Sequence, residues 1–153
     1  MASFKSTSTI LTCTPTALRT FLGRPVNLPQ ISNPELDLEV LSAPPEVTIG
    51  QQIEFRITAY GFKQRATHEY LIVADDRIVE SQIEGPLRAW RHSQHIEIAG
   101  TGHCRLTDEI DFEPPGGMLG FLLTEARILE SLEEGMGFRY SVLQELIESG
   151  AIA

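Results

Sequence analysis

Two hydrophobic periods divide this chain. In its middle third apolar residues recur at every second position. Leu36, Leu38 and Val40 alternate with Asp37 and Glu39, and Ile53, Phe55, Ile57 and Ala59 alternate with Glu54, Arg56, Thr58 and Tyr60. Residues Ala66–Ala74, Arg77–Glu84, Leu87–Ala99 and His103–Phe112 continue the series. A period of two predicts strands with one buried face. Between them stand turn signals: Tyr60-Gly61-Phe62, Asp75-Asp76, Gly85-Pro86 and Gly100-Thr101-Gly102. Ser3–Thr12 alternates too and predicts a first strand.

From Met118 the period lengthens. Leu122, Ala126, Leu129, Leu132, Met136, Tyr140, Leu143 and Ile147 follow at steps of three or four, which places them on one helical face. Glu125, Arg127, Glu130, Glu133, Glu134 and Arg139 fall between them and are assigned to the solvated face. Pro114-Pro115 suits the start and Gly150 the end. A helix over Gly116–Ser149 would be roughly 45 Å long. Gly135 and Gly137 interrupt it, as a kink, a close approach to a neighbour or a break into two helices. Upstream, Thr14-Pro15 opens a short helix carrying Ala17, Leu18, Phe21 and Leu22 and ending at Gly23. Arg24–Asn33, with Pro25 and Pro29, predicts one helical turn or an ordered loop.

The order is one strand, two short helices, six strands in a meander and one long helix. This is an α+β pattern over residues 1–153, read as one domain. Tight turns favour an antiparallel sheet of about seven strands. A sheet of that size curls, and the amphipathic helix must bury its stripe against it. The expected architecture is therefore a helix grip: a curved sheet wrapped around the long C-terminal helix, with space between.

Composition narrows the function classes. A net charge of −9 and a pI near 4.9 argue against nucleic acid and anionic membranes as partners. No apolar run reaches the length of a membrane-spanning helix. Met1–Ile10 carries no apolar signal region, so the expected compartment is the cytoplasm, with Cys13 and Cys104 as reduced thiols. The histidines and cysteines lack metal-ligand spacing, and no phosphate-binding glycine loop occurs. No cofactor is expected.

Val79–His92 carries a resemblance. Glu80 and Gln82, then Gly85-Pro86, then Trp90 and His92, later Asp108 and Pro115-Gly116, are similar to a motif series in bacterial members of the START and birch-pollen-allergen superfamily, a group often labelled polyketide cyclase/dehydrase. Asn27-Leu28-Pro29 with Ile31 resembles the loop after the first helix. Leu87 stands where an aromatic residue is usual, and Gln94 where a second histidine is usual. The resemblance implies an apolar cavity between sheet and helix that receives a lipid, polyketide or other hydrophobic small molecule.

Alternation from Arg88 to Ala99 puts Trp90, His92, Gln94, Ile96 and Ile98 on the inward face. By the same rule Cys104, Leu106, Asp108, Ile110 and Phe112 point inward. A carboxylate at Asp108 then needs a partner, from His92 or an inward arginine. On Ile78–Glu84 the phase stays open: the resemblance favours Gln82 inward, and apolarity alone favours Val79, Ser81 and Ile83. His68, His95 and His103 are expected at the surface or in turns. The candidate ligand contacts are Glu80, Gln82, Trp90, His92, Gln94, Asp108, Leu122 and Leu129. Three functions compete: a binding protein for a small hydrophobic ligand, a cyclase- or dehydratase-like enzyme with His92 and Asp108 as acid–base pair, and a protein-interaction module.

Overall fold

The computed structural model describes residues 1–153. Strand β1 (Ala2–Thr7) is followed by helices α1 (Pro15–Leu22) and α2 (Leu28–Ile31). Six strands come next: β2 (Glu39–Ser42), β3 (Gln52–Ala59), β4 (Phe62–Val73), β5 (Arg77–Glu84), β6 (Ala89–Ile98) and β7 (Cys104–Glu113). The short helix α3 (Leu119–Leu122) and the long helix α4 (Glu125–Glu148) close the chain. The strands form one antiparallel sheet in the order β1-β7-β6-β5-β4-β3-β2. The meander is continuous, and β1 adds to its far edge through β7. The sheet wraps α4 in an α+β helix grip.

Local chemistry explains the boundaries. Thr14 caps α1, its hydroxyl accepting from the Ala17 N–H at 3.1 Å with Pro15 as the first helical residue. Tyr60 (φ 50°) and Gly61 (φ 79°) form the two-residue turn between β3 and β4. Positive φ at both positions matches the right-handed twist of the flanking strands. Leu11, Leu18, Ile53, Ile78, Leu106 and Leu143 lie at 0–1% exposure in the main core. Each stabilises the fold by about 1.5–3 kcal/mol through burial. A second cluster of Ile110, Phe112, Ile128 and Met136 joins β7 to α4.

Four sequence expectations need correction. The terminal helix breaks at Leu123–Thr124 rather than at its glycines, because the Thr124 hydroxyl accepts from the Arg127 N–H and starts a new helix. Helix α4 then runs 24 residues through Gly135 and Gly137 without interruption, about 36 Å. The first strand ends at Thr7, with Leu11 making only an isolated bridge to Cys104. Residues Pro34–Leu36 form a 3₁₀ turn capped by Asn33, and Asp37 takes φ 44°, so the second strand starts only at Glu39. Ile98 lies at 80% exposure, as the last residue of its strand beside the exposed turn at Gly100–Gly102.

Cys13 and Cys104 are both free and buried, with Sγ atoms 3.9 Å apart. Burial raises both thiols, Cys104 to about 12. Since the thiolate is the nucleophile, a thiol-reactive dye at neutral pH should leave both cysteines unlabelled in the native protein. It should label both after denaturation. Fast native labelling would show that this corner of the core opens readily.

Candidate ligand-binding site

The site is built one residue per element. In β4 the period of two turns Ala66, His68 and Tyr70 inward. Glu80 on β5 lies directly opposite His92 on β6, and Gln94 lies opposite Asp108 on β7. In α4 the steps Leu132, Met136, Arg139 and Leu143 put Arg139 on the face turned to the sheet. The result is a chain of alternating charge types. His68 Nδ1 is 3.3 Å from Glu80 Oε2, and Glu80 Oε1 is 3.5 Å from His92 Nδ1. His92 Nε2 is 2.7 Å from Asp108 Oδ1, which accepts from Arg139 Nη2 at 3.2 Å. Arg139 Nη2 also donates to Gln94 Oε1 at 2.5 Å. Tyr140 Oη stands 2.9 Å from Asp108 Oδ2 and 3.1 Å from the Ser6 carbonyl, so one proton serves two acceptors.

His68, Glu80, His92, Gln94 and Arg139 are buried, and Asp108 completely so. Burial alone would raise both carboxyls. It is outweighed at Glu80 by hydrogen bonds from His68 and His92, and at Asp108 by the Arg139 charge and the His92 hydrogen bond, so both lie below the usual carboxylate range. Burial would also strip the proton from His92. The Asp108 and Glu80 carboxylates outweigh it and raise His92 above an ordinary histidine. Burial and the neighbouring Glu80 charge push the Tyr70 hydroxyl up, which keeps it neutral.

Above this network lies a cavity of about 220 Å³ between β3–β7, α2 and α4. Of its 23 lining residues 13 are hydrophobic, among them Ile53, Phe55, Ile57, Leu132 and Met136. Glu80, Gln82, Trp90 and His92 line it. The phase of β5 is thereby the one the resemblance favours. Gln94 and Asp108 sit behind Arg139 and do not reach the cavity. Leu122 belongs to α3 and Leu129 packs on the Ile110 cluster, so neither lines it. Leu132 and Met136 take their place. A wider recess of about 560 Å³ lies on the outer face of β1, β5, β6 and β7 and has no hydrophobic lining.

His68 and Arg139 are the corrections that matter. His68 is 6% exposed and packs its ring edge-on against Phe55, rather than lying at the surface. Arg139 is 5% exposed rather than solvated. Both signals were in the spacing: His68 is two residues from Ala66 and from Tyr70, and Arg139 is three from Met136 and four from Leu143. Charge type masked them. Gln82 proves partly architectural, since its Nε2 donates to the Leu87 carbonyl at 2.7 Å and its side chain folds over Gly85, where any Cβ would collide with it.

At the level of sequence, no family model and no curated protein matches the chain. Solved structures do. A START superfamily protein from Mycobacterium smegmatis superposes with a TM-score of 0.73 at 13% identity, covering 96% of this chain and 97% of its own. The chain has the START-like helix-grip fold. A Chromobacterium violaceum protein gives a TM-score of 0.72 at 11% identity over 94% of this chain and 99% of its own. Norcoclaurine synthase from Thalictrum flavum, solved with dopamine and hydroxybenzaldehyde, gives 0.67 at 12% identity, covering 97% and 87%. At such identities the START-like likeness speaks for fold. No helix of the chain is long and apolar enough to cross a membrane.

The buried network makes two predictions. Asp108→Asn leaves Arg139 and His92 without their shared anion and should destabilise the fold by about 3–5 kcal/mol, read from denaturant midpoints. The second concerns pH. Glu80 and Asp108 have lowered folded pKa values, so their contribution is present above the unfolded value near 4. It is lost as pH falls through the folded values. His92 is raised, so its contribution is complete below the unfolded value near 6.5 and is lost as pH rises through the folded value. Unfolding free energy measured against pH should therefore decline on both sides of a plateau between about pH 4.5 and 6.5. His92→Gln should flatten the alkaline side.

Proposed function

We propose that this protein binds a small hydrophobic molecule in the cavity between sheet and α4. The observation that carries this reading is a mostly apolar void of about 220 Å³ closed at its base by an ionised, paired network. Ligand sites combine an apolar lining with a few fixed polar groups that set orientation, and this cavity has both. Its size limits the ligand. About 150 Å³ suffices for benzene, and drug-sized sites run from about 300 Å³. A one- or two-ring molecule, or a short amphiphile, fits better than a two-chain lipid. The single-ring compounds in the norcoclaurine synthase structure support that scale in a similar fold.

A cyclase- or dehydratase-like activity is the second reading, and the same cavity supports it with a change of residue. His92 is held between two carboxylates that favour its protonated form, which suits a positioning cation better than a general base. His68 lines the cavity and bonds a carboxylate through Nδ1 only, the arrangement of an oriented imidazole.

Gly135 provides the test. It lines the cavity from α4, and a Cβ built on it meets only the Asn33 Cβ, at 4.0 Å. Gly135→Leu should fold and fill the void. Titrating indole or naphthalene should raise the melting temperature of the natural sequence through mass action and leave Gly135→Leu unmoved. No saturable binding by the natural sequence would count against a ligand cavity.

A further inference from the structure

The network has two ends, and each keeps an uncommitted nitrogen. The order runs His68, Glu80, His92, Asp108, Arg139, alternating basic and acidic groups from β4 across the sheet to α4. The oxygens of the two carboxylates all face partners inside the chain. The terminal groups are less fully used. His68 bonds only through Nδ1 and leaves Nε2 without a protein partner. Arg139 commits only Nη2 to hydrogen bonds, and its buried Nε has no acceptor. An unpaired buried donor costs about 1–3 kcal/mol. Both side chains line the cavity and are more than nine-tenths buried. The polar end of the cavity therefore offers a spare Arg139 N–H, an uncommitted His68 nitrogen and no spare carboxylate.

Charge sets the second condition. Glu80 and Asp108 balance Arg139 and a protonated His92, so the four inner charges sum to zero. An anion entering this desolvated space needs one more positive charge. Of the titratable and charged groups on the elements around it, Glu80 on β5 bonds His68, His92 on β6 and Arg139 on α4 line the same cavity, and Asp108 on β7 bonds both of these; Phe55 on β3 and Trp90 on β6 flank the His68 ring without charge. His68 bonds a single carboxylate through Nδ1, so its Nε2 can donate to an anion only when the ring carries a second proton.

Resting on the cavity reading above, we propose that the ligand is a one- or two-ring carboxylic acid. Its carboxylate accepts from Arg139 and His68 and closes the chain at both ends, and His68 takes up one proton as it binds.

The test is calorimetry with 2-naphthoate, 2-naphthamide and naphthalene at pH 7.5, in phosphate and in Tris, whose different ionisation enthalpies report proton uptake. Naphthoate should bind about tenfold more tightly than the amide, as charge-assisted hydrogen bonds are the stronger kind. It should take up about one proton per molecule, and the amide none. His68→Gln should abolish the uptake and the preference for the acid. If that variant fails to fold, the proton count and acid-to-amide ratio of the natural sequence decide alone. Equal or weaker binding of naphthoate, or binding without proton uptake, overturns the inference while amide and naphthalene binding keeps the cavity reading. Uptake that persists in folded His68→Gln also overturns it, because the acid would then enter in its neutral form. If none of the three probes binds, the cavity reading falls and this inference with it.

Discussion

A carboxylate with no exposed surface sits where the sheet meets α4, and the surrounding arrangement answers to it. Asp108 is completely buried. An isolated ionised carboxyl in such a place is far too costly to persist. Arg139 and Tyr140 must therefore come from α4, which fixes the rotation of the helix about its axis. His92 must come from β6, which fixes the strand register. His92 in turn is flanked by Glu80, and Glu80 by His68. One buried anion thus links β4, β5, β6, β7 and α4 through contacts of 2.7–3.5 Å.

Such a network is weak evidence for stability. Replacing a buried ionic set by well-packed apolar residues is often neutral or stabilising, whereas removing one member is strongly destabilising. The apolar clusters on either side, around Leu106 and Leu143 and around Phe112 and Met136, already join sheet to helix. What the ionic chain adds is direction. Its ends open on the cavity, and its interior is spent on itself. Leu132 and Met136 keep α4 in contact with the sheet beside the void, while Gly135 adds no side chain to fill it.

The architecture was legible because it depends on period. Alternation in β3 and β6, and the three- and four-residue steps of α4, follow from which faces lie inward, and burial enforces them along whole elements. Boundaries were less legible. The break at Leu123–Thr124 depends on one hydroxyl cap, and the late start of β2 depends on Pro34 and the left-handed Asp37. The site was half legible. Glu80, Gln82, Trp90 and His92 carry the resemblance and line the cavity, and Asp108 demanded a partner by its neighbours alone.

His68 and Arg139 escaped for one physical reason. Histidine and arginine in alternating or amphipathic segments are usually solvated, so residue type argued against what position argued for. The two arguments separate only when the partner is known, and each partner lies on another element, 12 residues away for His68 and 31 for Arg139. A charged residue in phase with apolar neighbours is the local sign of a distant counter-charge. Here the sign was present twice, once on a strand and once on a helix. The unanswered carboxylate at Asp108 was the reason to look for it on other elements.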